Sequence, residues 1–141
     1  MRQGNYRTEE ELRYVVIPIM EGLEQVHDAG FIHRDIKPGN IYIREDGSPV
    51  LLDFGSARQS MGTQTQALTS LYTPGFAPFE QYHESEGRQG PWTDVYSIGA
   101  TLYLGATGQR PADALKRSAA YLHQVEDPYV SVKSQAKGKF S

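Results

Sequence analysis

Between Thr8 and Ala29, apolar residues return every three or four positions: Leu12, Val15, Val16, Ile19, Leu23 and Val26. That spacing places them on one stripe and predicts a helix over 8–29. Thr8 with Glu11 has the form of a capping box, and Glu9, Glu10 and Glu11 suit the positive end of the helix dipole. Pro18, inside the helix, removes one backbone bond and predicts a bend, while Gly30 is a stop. The period then shortens. Ile41 to Arg44 and Pro49 to Leu52 are short apolar runs flanking E-D-G-S, so a hairpin turning at Asp46-Gly47 is predicted. The stretch DFGSARQSMGTQTQALTSLYTPG follows with little periodicity, and connections of that length are usually functional or mobile. A second helix is predicted over 93–107, with Thr93 as cap, Gly108 as stop, and Val95, Ile98, Leu102 and Ala106 as its apolar face. Small and apolar residues surround that face, so the helix is expected to be largely buried. A weaker helical pattern covers 112–124. The tail SVKSQAKGKFS shows no core-forming pattern, and no internal repeat appears.

Composition narrows the possibilities. The 141 residues suit one domain, with 38% hydrophobic and 22% charged residues, as in ordinary globular chains. A net charge of −3 gives no basic excess for nucleic acid and no acidic block. The absence of cysteine excludes disulfides, thiolate metal sites and thiol nucleophiles, and is compatible with a reducing, cytoplasmic setting. No apolar run approaches the roughly 18 residues of a membrane helix, and the polar start MRQGNYRTEEE shows no signal peptide.

The chemistry concentrates in FIHRDIKPGN, residues 31–40, where Asp35 lies among His33, Arg34, Lys37 and Asn40 on a Pro-Gly bend. A second acid, Asp53, ends the second strand of the predicted hairpin, just before Phe54 and Gly55. If that strand folds back beside the first, Asp35, Lys37, Asn40 and Asp53 converge. Asp53 and Asn40 would then offer oxygen ligands to a hard cation, Asp35 a proton acceptor, and Lys37 a cation for developing negative charge. Magnesium takes such ligands and shares its shell with phosphates, and phosphoryl transfer needs positioning and charge neutralisation more than covalent help. Each residue alone has a plain reading. Asp35 and Asn40 suit turns, Lys37 a solvated charge, His33 core packing, and Asp94 the first turn of a helix.

Taken together, H-R-D-I-K-P-G-N and D-F-G resemble the catalytic loop and metal loop of eukaryotic-type Ser/Thr protein kinases. Three more segments follow in the same order: TPG at Thr73, FAPFE ending in Glu80, and WTDVYSIGATLY carrying Asp94. The wording GFAPFEQY, GRQGPWTDVYS and TGQRPADA looks like bacterial members, and the resemblance spans about Thr8 to Pro128. It implies a mainly α fold with a small β-hairpin, the large lobe of the protein-kinase-like (α+β) fold. The chain, 1–141, would be a partial kinase domain with catalytic loop 31–40, metal loop 53–55, activation segment 53–80 and central helix 93–107. ATP and Mg2+ are implied as cofactors and a protein as substrate. By the same resemblance, Asp35 would deprotonate the substrate hydroxyl and Lys37 would steady the transferring phosphate. Asn40 and Asp53 would hold magnesium, and Thr73 would shape the substrate site near Asp35. Arg34 would pair with a phosphate on the activation loop, at Thr69, Ser70 or Thr73. Asp94 would hold the backbone at His33 and Arg34. His33, Phe54, Gly55 and Glu80 would be structural, and Tyr42 would lie beneath the adenine.

The sequence also departs from the family. It contains no G-x-G-x-x-G loop and no V-A-I-K-type lysine, and the residues before His33 are taken up by one helix. The small lobe is therefore expected to be absent here and to come from a longer chain or a partner. An arginine for Glu80 is not evident, with Arg110 the nearest candidate. Left uncovered, the floor at Ile41, Tyr42 and Phe54 would be an exposed apolar patch. Two alternatives stand beside the kinase reading: a docking module derived from a kinase lobe, and a small-molecule phosphotransferase of the aminoglycoside or choline kinase type. Lys37, the 73–80 segment and the Asp94 helix favour a protein substrate.

Overall fold

The computed structural model describes residues 8–54, 58–59, 72–82, 89–136 and 140. Helix α1, Glu9–Asp28, starts from a complete capping box: Glu11 N–H donates to Thr8 Oγ1 at 3.2 Å and Thr8 N–H to Glu11 Oε2 at 3.3 Å. The helix runs unbroken through Pro18, which is exposed, and ends where Gly30 turns left-handed with φ 82°. Leu12, Val15, Ile19 and Leu23 form its buried stripe.

Strand β1, Phe31–Ile32, leads into the loop with Asp35 and then a short 3-10 turn, Pro38–Asn40. Strands β2, Ile41–Ile43, and β3, Pro49–Leu51, form the antiparallel hairpin with Ile41 opposite Leu51 and Tyr42 opposite Val50. Its turn is fixed by Asp46, whose Oδ1 accepts from Ser48 N–H at 2.9 Å and Ser48 Oγ–H at 2.6 Å, while Gly47 takes φ 85°. Those Ser48 bonds hold the Asp46 carboxyl below its usual range. The pleat sorts the hairpin residues. Ile41, Ile43 and Leu51 join α1 and Ile36 in the core, whereas Tyr42 and Val50 point to the other face.

Strand β4, Arg58–Gln59, pairs antiparallel with β1 inside the stretch that lacked periodicity. Two residues are too few to show a period of two, which is why this ribbon is invisible in the sequence. Gly55, Thr69 and Ser70 lie outside the described residues. Helix α2 is Phe79–Tyr82, and α3 is Pro91–Thr107.

Helix α3 begins two residues earlier than predicted. Pro91 occupies its first turn, and Thr93, rather than capping from outside, accepts from Gly90 N–H through Oγ1 at 3.2 Å. Its buried face also differs from the predicted one. Ile98 is buried and Leu102 partly so, but Val95 is 54% exposed, while Thr93, Asp94, Ser97 and Thr101 are buried. These polar residues are buried at low cost because each is bonded. Ser97 Oγ–H donates to Phe76 O at 2.8 Å and Thr101 Oγ1–H to Ser97 O at 2.8 Å. Of the expected apolar face only Val95 is turned to solvent, and a search for apolar residues alone misses the buried polar ones.

Helix α4 is Ala114–Leu122 and α5 is Val132–Gln135. The second corrects the reading of the tail as coreless: Ser131 caps α5, Ala136 is buried, and Tyr103 donates its hydroxyl to Val130 O at 2.8 Å. α3 is thus central, touching α1, β1 and α5. Replacing Ile98 with Ala is expected to cost about 3 kcal/mol. Val95→Ala, on the same helix, is expected to stay within about 0.5 kcal/mol. Urea denaturation midpoints of the two variants check the assignment of faces.

Candidate active site

The segment 33–40 alternates between anchors and presented groups. His33, Arg34, Ile36 and Pro38 are buried, with Ile36 in the main core. Between them, Asp35 and Lys37 reach the surface of the fold with side chains 11% and 31% exposed. Ile36 was not singled out in the sequence, although its burial is what fixes the flanking residues outward.

The backbone of this loop hangs on one fully buried carboxylate. Asp94 Oδ2 accepts from His33 N–H at 2.8 Å, and Oδ1 from Arg34 N–H at 2.8 Å. Arg34 has φ 71°, a left-handed conformation unfavourable for a side-chain-bearing residue. Two charge-assisted bonds offset that strain. His27, near the end of α1, adds a third contact, with Nε2 at 2.8 Å from Asp94 Oδ2. His27 carries no motif signal in the sequence. Gln81 is another residue without one: buried in α2, it donates through Nε2 to Arg34 O at 2.7 Å.

His33 is enclosed. Its Nδ1 accepts from Asp35 N–H at 3.2 Å and its Nε2 lies 3.1 Å from Leu52 O, a pattern that specifies the Nε2–H tautomer. The Phe54 ring meets it edge-on at 4.7 Å. The histidine therefore ties the Asp35 loop to the end of the hairpin.

Four of the singled-out side chains meet. Lys37 Nζ lies 3.1 Å from Asp35 Oδ1 and donates to Thr73 Oγ1 at 3.1 Å. Thr73 Oγ1–H points to Asp35 Oδ1 at 3.4 Å. Asn40 Nδ2 donates to Asp35 O at 2.8 Å and to Asp35 Oδ2 at 3.0 Å. Both bonds use the amide nitrogen, so neither occupies Asn40 Oδ1, an acceptor. Asp53 arrives through the hairpin, since Leu52 N–H donates to Asn40 O at 2.8 Å and Asp53 is the next residue. Asp53 is exposed and has φ 61°, a conformation that aspartate tolerates better than most residues.

The remaining positions lie around this cluster. Tyr42 is 55% exposed on the outer face of the hairpin, and Leu52 and Phe54 are exposed close by. The expected open floor therefore consists of these three, while Ile41 is 4% exposed and belongs to the core. Arg34 donates through Nε to Gln89 Oε1 at 2.7 Å. Glu80 Oε1 accepts from Thr93 Oγ1–H at 3.1 Å, whereas Arg110 lies over the Phe76 ring at 5.8 Å. Among the described residues, no group of three or more His, Cys, Asp or Glu side chains could hold a metal, and no helix is long and apolar enough to cross a membrane.

An acid bonded to an asparagine, a lysine and a threonine, on a loop slung from a buried aspartate, can accept a proton and steady an anion in one place. Comparison with known proteins agrees with that chemistry. The protein kinase domain family matches residues 1–140. The chain belongs to the protein kinase family. It is 41% identical over 120 residues to Serine/threonine-protein kinase PknA of Nostoc, covering 80% of this chain and 21% of that protein. It is 37% identical over 121 residues to probable serine/threonine-protein kinase PknB of Corynebacterium glutamicum, covering 84% of this chain and 19% of that protein. Human Serine/threonine-protein kinase 16 shares 34% identity over 125 residues, or 79% of this chain and 40% of that protein. The chain thus spans about a fifth of the length of its bacterial relatives. Its relatives include bacterial, eukaryotic-type Ser/Thr kinases, and its own fold is mainly α and protein-kinase-like.

Removing the anchor of this kinase loop should loosen it. Asp94→Ala is expected to cost about 3 kcal/mol, because two backbone donors lose a charged partner in the interior. Amide exchange checks it, with His33 and Arg34 losing protection beyond that lost at the α5 end of the molecule.

Proposed function

We propose that these residues form the acceptor and metal side of an ATP-dependent site that phosphorylates Ser or Thr hydroxyls of proteins. The observation that carries the reading is the Asp35–Lys37–Asn40–Thr73 cluster with Asp53 adjacent. Asp35 accepts the proton of the incoming hydroxyl as its oxygen bonds to the γ-phosphorus of ATP and the bond from that phosphorus to the departing ADP breaks. Lys37, held between Asp35 and Thr73, faces the oxygens on which charge gathers. Thr73, bonded to both, limits the directions from which an acceptor reaches Asp35.

The donor set also fits magnesium. Asn40 Oδ1 and the Asp53 carboxylate are hard oxygens, and a magnesium ion that keeps waters and shares phosphate oxygens needs few protein ligands. When bound, the ion neutralises phosphate charge. This chain's part is to hold Asn40 by its amide nitrogen on Asp35 and to bring Asp53 beside it through the hairpin.

Tyr42, Leu52 and Phe54 form the apolar surface beside the cluster on which the adenine would rest. A cover bearing a glycine-rich loop and a strand lysine, from a longer chain or a second one, would exclude water and strengthen the charge interactions. Without it the 141 residues are expected to transfer phosphate far below the roughly 1–100 s⁻¹ of kinases.

Labelled ATP and a generic Ser/Thr peptide test this. The chain alone should show negligible transfer, and fusion to a small lobe from a relative should raise it. In the fusion, Asp35→Asn should lower the rate at least about 100-fold, the usual scale for losing a general base. Transfer indifferent to Asp35, or transfer at ordinary kinase rates from the chain alone, would contradict the proposal.

A further inference from the structure

Thr73 meets Asp35 and Lys37 at the tip of a loop whose two flanks are held by one pair of side chains. On one flank, the Tyr72 ring packs at a tilt of 47° against Tyr82 of α2, with centroids 4.3 Å apart. On the other, Gly75 packs against the backbone of Pro111, two residues before Asp113, with its N–H turned toward the Asp113 carboxylate. Tyr82 and Asp113 are themselves joined, with Tyr82 Oη–H donating to Asp113 Oδ2 at 2.7 Å. Asp113 is also the N-cap of α4, accepting from Leu115 N–H at 2.9 Å and Lys116 N–H at 3.4 Å through Oδ1. The loop has little freedom to shift. Gly75 has φ 88°, and a Cβ there would meet Pro111 O at 3.3 Å. Below the tip, Phe76 N–H and Ala77 N–H both donate to Thr73 O, at 3.0 and 3.1 Å.

We infer that Tyr82 and Asp113 are positioning residues that clamp both flanks of Thr73 and so set where its hydroxyl meets Asp35. Neither touches the reacting groups. The Asp113 bond to Tyr82 uses Oδ2 and the bonds capping α4 use Oδ1, so the Tyr82 link and the helix cap are separable. The ionisation states are consistent with the pairing. Burial pushes Asp113 up, but the bonds from Tyr82, Leu115, Lys116 and Gly75 outweigh it and hold the carboxyl below its usual range. Burial, then the bond to Asp113, pushes the Tyr82 phenol up, so it remains a donor. The clamp would align the hydroxyl-bearing segment of a protein substrate, and in this it rests on the function proposed above.

Amide exchange in the 141-residue chain tests the clamp without requiring transfer, so its failure is distinguishable from failure of the catalytic reading. Tyr82→Phe removes the hydroxyl link and keeps the ring against Tyr72. Asp113→Ser keeps a helix cap but is too short to reach Tyr82. Both are expected to speed exchange at Phe76 and Ala77 about 10-fold, the scale of one lost hydrogen bond. Leu115 and Lys116 should stay protected in Asp113→Ser, and His33 and Arg34 in both variants. Unchanged Phe76 and Ala77 in either variant, or acceleration shared equally by His33 and Arg34, would overturn the inference. In the small-lobe fusion, Tyr82→Phe should lower kcat about 10-fold with KM for ATP unchanged, and an unchanged kcat would overturn the catalytic half.

Discussion

A carboxylate with no exposure to water, Asp94, accepts the backbone N–H groups of His33 and Arg34 and the ring of His27. Much of the candidate site follows from this arrangement. Arg34 is held in a left-handed backbone conformation, and the chain leaves that turn with Ile36 inward and Asp35 and Lys37 outward. A buried, unpaired carboxylate would be costly, so the surrounding donors and the aspartate require one another. The anchor lies in the first turn of α3, on the side of the helix that is buried. Ser97, one turn further along the same helix, uses the same strategy, fastening Phe76 and with it the segment that carries Thr73. One helix therefore fixes both halves of the cluster, the Asp35 side through Asp94 and the Thr73 side through Ser97.

The legible parts of the sequence were those with local signals. The stripe of α1 and its capping box depend on neighbours three and four residues apart, and the hairpin turn on Asp46 and Gly47. The residues alone point to Asp35, Lys37, Asn40 and Asp53 converging, and only the family resemblance places Thr73 near Asp35; the structure joins Asp35 to Lys37, Asn40 and Thr73 directly. What could not be read was nonlocal. The partners of Asp94 lie 60, 61 and 67 residues away, and no periodicity reports them. Val95 reads as core by hydrophobicity and faces solvent because polar residues with distant partners took the buried side. The β1–β4 ribbon and α5 are too short for a pattern to accumulate, so the tail read as coreless although Ala136 is buried. Asp113 was not singled out in the sequence: it caps α4 through one oxygen, while the other bonds Tyr82, 31 residues away.

The hairpin shows how one element serves two purposes. Its inner face, with Ile41, Ile43 and Leu51, closes the core over α1. Its outer face displays Tyr42 and Val50, with Leu52 and Phe54 following on, beside the polar cluster. An apolar surface next to a lysine and two acids suits a ligand with a flat ring and a polyanionic tail. Because the pleat alternates, a shift of one residue in the register would send Tyr42 into the core and Ile41 into solvent. The Asp46 turn that sets this register is thus remote from the chemistry and yet decides which face the site presents.

The central claim is that Asn40 and Asp53 face one point beside Asp35. Paramagnetic relaxation by Mn2+ in place of Mg2+, with a non-hydrolysable ATP analogue present, measures this directly. Resonances of Asp35, Asn40 and Asp53 should broaden first and together, and those of α4 should remain sharp. Broadening centred elsewhere, or Asn40 and Asp53 responding at clearly different metal concentrations, would contradict the account.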